Sequence, residues 1–135
     1  MNILDLGCGT GIFSLMFLVK ANQSSINLYL SDINTHILGN AIYNYRQSCL
    51  KHSINYVFLQ ESDLFEHLDS KIHFDVILFN PPQTPFQNEY SRSDKNGGRD
   101  SIKYFEPVFR HLSTLTNKFT FYLLHSYMAW PSKCS

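Results

Sequence analysis

Short apolar runs alternate with amphipathic stretches along this chain, and this alternation restricts the fold more than any other feature. The spacing predicts strands at Asn2–Leu6, Ile26–Ile33, Ile54–Leu59, Phe74–Phe79 and about Phe119–His125. It predicts helices at Ile12–Val19, at Asn34–Leu50 and from about Ser101 to Ser113, with one or two helical turns at Asp63–Leu68. Strands and helices that alternate about every 30 residues indicate βαβ units. The expected fold is therefore α/β, a mostly parallel twisted sheet of about five strands with helices on both faces.

Composition and charge narrow the class of protein. The 135 residues are enough for one domain, and 11 basic residues against 11 acidic ones give a net charge of zero. A neutral chain disfavours a large nucleic-acid footprint. The spacing of the three cysteines matches neither a disulfide framework nor a metal-ligand cluster. The N-terminal sequence MNILDLGCGTG has no basic segment followed by a long apolar run, so we expect neither a signal peptide nor a membrane span. We therefore expect a cytoplasmic protein without a metal site or a membrane partner.

A glycine-rich segment, Asp5-Leu6-Gly7-Cys8-Gly9-Thr10-Gly11, follows the first predicted strand. Glycines tolerate positive φ and lack a Cβ atom, so a ligand can approach the backbone and the next helix can begin close to the strand. The third small residue of a dinucleotide fingerprint would fall at Ile12. A nicotinamide-dependent oxidoreductase is therefore a less favoured interpretation.

Acidic residues follow the second and third predicted strands. Asp32, at the end of the second, could accept hydrogen bonds from both hydroxyl groups of a ribose. Asp63, after the third, could accept one from an adenine amino group, with Leu64 or Phe65 available to pack on the base. A helix cap at Asp32 and a solvated loop acid at Asp63 are the alternatives. Together the two acids predict a site for an adenosine-bearing cofactor.

The string Asn80-Pro81-Pro82-Gln83 follows the fourth predicted strand and is the most specific motif in the chain. The side-chain carbonyl of Asn80 and the main-chain carbonyl of Pro81 are two acceptors, and the proline rings fix φ in a stretch with no N–H donors. Two such acceptors can hold an NH2 group by its hydrogens and leave the nitrogen lone pair available. The motif therefore predicts a site that positions an amide or aromatic amine for attack.

With these motifs in order, ILDLGCGTG, Asp32 and FDVILFNPP, the chain resembles the class I S-adenosylmethionine-dependent methyltransferases. More narrowly, it is similar to the HemK-type proteins that methylate the glutamine amide nitrogen of peptide release factors, in which a string like Gly97-Gly98-Arg99-Asp100 follows NPP. The resemblance implies a Rossmann-like methyltransferase fold and S-adenosyl-L-methionine as cofactor. It implies that the cofactor is bound by Asp5, Gly7, Gly9, Gly11, Asp32 and Asp63. It also implies that the acceptor nitrogen is held at the catalytic residues Asn80, Pro81 and Pro82.

The chain departs from this family at three points. Gln83 stands where the family has Tyr or Phe, so we expect the acceptor to contact Gln83 and a ring from elsewhere, with Phe86 as the candidate. Because the chain begins at the first strand, we expect residues 1–135 to be a single S-adenosylmethionine-binding methyltransferase domain, without the family's N-terminal recognition domain. It also ends soon after the fifth strand, where the family has a final helix and an antiparallel strand pair, so we expect a truncated sheet. A partner subunit or an oligomer would then supply substrate recognition.

The favoured function is transfer of a methyl group to a side-chain amide, such as protein glutamine, or to a similar planar NH2 group of a small molecule. An exocyclic amine of RNA or DNA is an alternative, because the same two acceptors fit it. Neutral charge and Gln83 disfavour nucleic acid, whereas a group of basic residues mildly favours it: Arg92, Lys95, Arg99 and Lys103. A noncatalytic or partner-dependent module with the same fold is the third interpretation.

Overall fold

Residues 1–21, 25–49, 54–83 and 103–125 are described by a computed structural model that divides the chain into two units. Met1–Asn80 and Asn117–Leu123 form the first unit, and Pro81–Thr116 with Leu124–Ser135 form the second. The elements of the first unit are β1 (Asn2–Leu6), α1 (Ile12–Ala21), β2 (Ile26–Asp32), α2 (Thr35–Gln47), β3 (Ile54–Glu61), β4 (Val76–Phe79) and β5 (Thr120–Leu123). The second unit contains α3 (Phe105–Leu112).

The five strands form one sheet in the order β3-β2-β1-β4-β5, and every neighbouring pair is parallel. The chain adds β2 and β3 on one side of β1 and then β4 and β5 on the other, so the strand order reverses next to β1. Leu6 lies opposite both Ser31 and Phe79, and Ser31 lies opposite Gln60. The carboxyl ends of four strands therefore share one edge of the sheet. The predicted five-stranded parallel α/β fold is confirmed.

One face of the sheet packs against α1 and α2. The buried cluster on that face contains Leu18 of α1 and Leu38, Ala41 and Tyr45 of α2, packed on alternate residues of β1, β2 and β4. β4 reads VILF and is buried along its whole length, as is typical of a central strand in a covered parallel sheet. Neither α1 nor α2, nor any other helix in the described ranges, is long and apolar enough to cross a membrane.

Most predicted bounds agree with the structure, and the differences have local causes. β1 has the predicted bounds, and α2 begins after Asn34, whose side chain accepts a hydrogen bond from the N–H of His36. β4 begins at Val76 instead of Phe74, since the Asp75 side chain is turned back to accept from the N–H of Asn2. Residues 63–68 form two hydrogen-bonded turns, from Asp63 to Glu66 and from Phe65 to Leu68, and not a helix.

In the second unit, α3 buries Val108 and Leu112, which are four residues apart and therefore on one face of the helix. The ring of Phe105 lies edge-on to those of Phe109 and His125, with centroids 6.1 and 5.3 Å apart. The helix predicted at 101–113 is α3, with shorter bounds, and the strand predicted at 119–125 is β5 of the first unit, also with shorter bounds. The predicted loop at 83–100 falls almost entirely outside the described residues.

Replacing Asn34→Ala tests the start of α2. The Asn34 side-chain oxygen lies 3.0 Å from the main-chain nitrogen of His36, and loss of such a cap lowers the free energy of unfolding by about 1 kcal/mol. Urea denaturation measures the change. Asn40→Ala, the same substitution at an exposed position inside the helix, is the control and should leave stability equal or slightly raised, because alanine is the better helix former. Equal losses in both variants would contradict the assignment.

Candidate active site

The glycine loop, residues 7–11, connects β1 to α1 at the carboxyl edge of the sheet. Gly7, Gly9 and Gly11 have φ angles of +62°, +54° and +75°. A Cβ atom at Gly7 or Gly9 would meet no atom within 4 Å, whereas one at Gly11 would lie 3.2 Å from Cε2 of Tyr45. The first two glycines therefore leave open space above the loop, a cradle that side chains would fill. The third lets α2 pack closely against the loop.

Hydrogen bonds from two other elements hold the glycine loop in place. The N–H of Gly9 donates to Oδ2 of Asp32 at 2.9 Å, and the side-chain amide of Asn44 in α2 donates to the carbonyl of Thr10 at 2.9 Å. The other Asp32 oxygen accepts from the N–H of Asn34 at 3.0 Å. Because a carboxylate offers about four lone-pair directions, Asp32 can still accept from two hydroxyl groups while it supports the loop.

Asp5 lies beneath the loop and is almost completely buried, with 1 % of its surface exposed. Its backbone neighbours across the sheet are Leu30 and Leu78. Burial raises its pKa from 3.8 to about 7, against the opposing effect of hydrogen bonds from Ser14, while the negative charge of Asp32 raises it further. The hydroxyl of Ser14 donates to the Asp5 carboxylate, as does the Ser14 N–H at 3.3 Å. Asp5 therefore joins β1 to the first turn of α1.

Two further titratable groups lie in the same buried layer. Burial raises the pKa of the Cys8 thiol above its usual range, and the negative charges of Asp5 and Asp32 raise it further. The pKa of the Tyr45 phenol is also raised, again mainly by burial. Both groups are therefore neutral at physiological pH, so the carboxyl groups of Asp5 and Asp32 are the source of negative charge around them.

The segment after β3 supplies the second predicted acid. Asp63 is exposed, and the residue before it, Ser62, is buried. Leu64 has a φ angle of +49°, in the left-handed region that a leucine rarely adopts. Since Asp32 and Glu61 are opposite each other in the sheet, Asp63 follows β3 at the same edge as Asp32. The structure thus places both predicted adenosine-binding acids on neighbouring strand ends.

Asn80 follows β4 directly and is the last residue of the first of the two segments that form the first unit. It is exposed, and Phe79 before it lies opposite Leu6, so Asn80 follows β4 beside the start of the glycine loop. This is the point where the strand order reverses, which is where open α/β sheets bind their ligands. Gln83, in the second unit, donates from Nε2 to the carbonyl of Leu124 at 2.7 Å. Phe86 lies outside the described residues.

The carboxyl edge of the sheet therefore carries the glycine loop, Asp32, Asp63 and Asn80. Asp5 is covered by α1, and a direct role in ligand binding remains a prediction. The supporting residues Ser14, Asn44 and Tyr45 were not predicted. A serine within the apolar helix sequence IFSLMFLV was the one available signal, because a hydroxyl there has to find a buried partner. Across the described ranges, no three His, Cys, Asp or Glu side chains are grouped as metal ligands.

The structure combines an open parallel sheet with a glycine loop after its first strand and Asn-Pro-Pro after its fourth. In the comparison with protein families, the methyltransferase small domain model matches residues 1–95. The chain belongs to the methyltransferase small domain family.

Individual relatives carry different names. A Methanocaldococcus jannaschii protein, provisionally described as a protein N5-glutamine methyltransferase, is 33% identical over 122 residues, which are 87% of this chain and 57% of that protein. A tRNA1(Val) (adenine(37)-N6)-methyltransferase of Aliivibrio salmonicida is 30% identical over 115 residues, which are 84% of this chain and 42% of that enzyme. The chain therefore spans about half the length of these relatives.

A solved structure supports the fold. The N-terminal domain of human METTL16, in complex with SAH, superimposes with a TM-score of 0.53 and 19% identity, over 92% of this chain and 45% of that one. At this identity the likeness establishes a shared Rossmann-like methyltransferase fold.

Gly11→Ala tests the contact between the glycine loop and α2. An alanine there would take a left-handed backbone, at a cost of about 1–2 kcal/mol, and its Cβ would crowd the Tyr45 ring. We expect the free energy of unfolding, measured by urea denaturation, to fall by at least this amount. Gly39→Ala is the matched control: it lies in α2 with open space around it and should raise stability by about 1 kcal/mol. A Gly11→Ala protein as stable as the control would exclude this contact.

Asp5→Asn tests the buried carboxyl group through the pH dependence of stability. Between about pH 4 and 7 the unfolded chain releases the Asp5 proton while the folded chain keeps it, so the free energy of unfolding falls as pH rises. The slope for one proton is at most about 1.4 kcal/mol per pH unit. Asparagine cannot titrate, so the variant should gain stability relative to the unmodified protein across this window and stay level above it. Parallel stability curves from pH 4 to 8 would refute the raised pKa.

Proposed function

We propose that this chain is an S-adenosylmethionine-dependent N-methyltransferase whose acceptor is a planar NH2 group, with the side-chain amide of protein glutamine as the favoured example. The observation that carries the proposal is the position of Asn80, which follows β4 beside the glycine loop at the reversal of strand order. Membership of the methyltransferase small domain family supports it. The proposal requires that one group of residues binds the cofactor and another holds the acceptor.

The residues at the sheet edge fit the cofactor. Gly7 and Gly9 leave open space in which the methionine part can approach the backbone, and Asp32 has acceptor capacity for the ribose hydroxyls. Asp63 is exposed on the next strand end, where it can accept a hydrogen bond from the adenine amino group. When bound, S-adenosylmethionine supplies an electrophilic methyl group on a sulfonium centre. The chain's part is to fix this group relative to the acceptor.

Asn80 and its neighbour Pro81 would hold the acceptor. The Asn80 side-chain carbonyl and the Pro81 main-chain carbonyl would each accept one hydrogen of the NH2 group, and Pro82 restricts the backbone that carries them. An amide nitrogen is a weak nucleophile, so its orientation and proximity to the methyl donor would account for much of the rate. Gln83 and Phe86 are proposed to contact the acceptor's flat face or its neighbouring groups.

The class of acceptor is part of the proposal. The similarity to a protein named as a glutamine methyltransferase, together with zero net charge, favours a protein side chain. The similarity to an enzyme named for adenine N6 methylation of tRNA supports the second candidate, an exocyclic amine of RNA, which the same two acceptors would fit. For either acceptor, a partner subunit or a second copy is proposed to contribute to substrate recognition.

Three measurements separate these proposals. Calorimetry with S-adenosylmethionine tests the cofactor site, and absence of binding at millimolar concentration would leave only a noncatalytic module. Incubation with a labelled methyl donor, first with a peptide release factor and then with an unmodified tRNA transcript, tests the acceptor. Label on a glutamine side chain supports the first proposal. Label on adenine, with binding that weakens steeply as salt rises, supports the RNA candidate.

Asn80→Ala should separate turnover from cofactor binding. The variant loses one of the two acceptors that orient the NH2 group, so we expect turnover to fall at least 100-fold, while the Kd for S-adenosylmethionine stays within about threefold. Steady-state kinetics and calorimetry on the same preparation measure both. Asn40→Ala serves as the control with the same substitution on the exposed side of α2. Unchanged turnover in Asn80→Ala would eliminate the proposed role of this residue.

A further inference from the structure

Ser62, the residue between β3 and Asp63, is buried, with 2 % of its surface exposed, and makes three hydrogen bonds. Its N–H donates to the main-chain carbonyl of Asp32 at 3.0 Å. Its hydroxyl donates to the carbonyl of Leu64 at 2.8 Å and accepts from the N–H of His67 at 3.0 Å. The main chain of Ser62 thus binds the end of β2, and its side chain connects the turn after β3 to the residues that follow the turn.

The hydroxyl of Ser62 fixes a backbone that leucine does not adopt readily. Leu64 has a φ angle of +49°, and a side chain in this region costs roughly 1–2 kcal/mol because its Cβ crowds a carbonyl oxygen. Strained backbone of this kind persists only where surrounding contacts determine it. The Ser62 hydroxyl holds the Leu64 carbonyl, and the turn from Asp63 to Glu66 closes around it. Without the hydroxyl, the turn is free to relax toward a negative φ at Leu64.

The same residue connects the two acids assigned to the adenosine. The Ser62 N–H bonds to the main chain of Asp32, and Asp63 is the next residue along the chain. Asp32 in turn accepts from Gly9 of the loop, so its own position is already fixed on that side. Relaxation of the turn would therefore move Asp63 while Asp32 stays in place. The distance between the two acids depends on Ser62.

We infer that Ser62 is a positioning residue for cofactor binding: it sets the separation of Asp32 and Asp63 through the turn at Leu64 and does not itself contact the cofactor. The inference rests on the proposed function, because it takes these acids as the ribose and adenine ligands. It assigns Ser62 to the adenosine half of the cofactor. The glycine loop and the acceptor residues are unaffected by it.

The experiment compares Ser62→Ala with the unmodified protein by calorimetry, using S-adenosylhomocysteine and free adenosine as probes. We expect the Kd to rise about tenfold for both probes and by the same factor. The hydrogen bonds that are lost, to Leu64 and His67, position Asp63, which is proposed to bind the adenosine part that both probes share. Turnover at saturating cofactor should stay within about twofold. Ser113→Ala is the control, since the Ser113 hydroxyl makes the same kind of bond, to the carbonyl of Arg110, at the end of α3. It should leave both Kd values unchanged.

A second variant guards against a failure to fold. Ser62→Cys fills nearly the same space with a weaker donor, and we expect a rise in Kd of about threefold for both probes. Unchanged affinity in either folded variant would overturn the inference, as would a loss confined to S-adenosylhomocysteine. A lower melting temperature with unchanged Kd would show a role in stability alone and would also overturn it. If the unmodified protein binds neither probe, the proposed function itself fails, and this outcome is visible before any variant is made.

Discussion

The central strand β1 is paired in parallel with a neighbour on each side, and this pairing determines where every other part of the site can lie. Parallel neighbours have to return to the same end of the sheet before they pair, so each connection passes over a face. The residues that follow β1, β2, β3 and β4 consequently lie at the same edge of the sheet. The glycine loop and Asn80 become neighbours although more than half of the chain separates them.

Two carboxyl groups support the glycine loop, and one of them, Asp5, is buried among apolar residues where a polar group is unfavourable. Asp5 is placed between leucines on β2 and β4, an unfavourable surrounding for a charge, and its hydrogen bonds with Ser14 offset part of that cost. The Asp32 carboxylate holds the loop at Gly9 and lies at the end of β2, where we propose that the ribose binds. A substitution at Asp32 would therefore disturb the shape of the loop as well as remove the carboxylate that we propose binds the ribose.

The sequence alone predicted the five-stranded parallel α/β fold and the motifs that follow each strand. A continuous apolar run such as VILF is typical of a strand that is buried on both faces, and the spacing of the runs indicates parallel connections. The hydrogen-bond partners of Ser14, Asn44 and Ser62 could not be predicted, because these partners lie on other elements or in a turn whose form depends on a strained φ. Ser62 can bind the main chain of Asp32 because the register of β2 and β3 places Asp32 opposite Glu61, and no local sequence pattern encodes this register.

The thiol in the glycine loop has a chemical consequence. Attack on oxidants and on alkylating reagents requires a thiolate, and Cys8 is buried and has a pKa raised well above its ordinary value. The loop therefore carries a cysteine that is inert under mild oxidation. Cys49, exposed after α2, is far more accessible to such reagents. Labels attached through Cys49 would report on α2 while the chemistry of the loop stays intact.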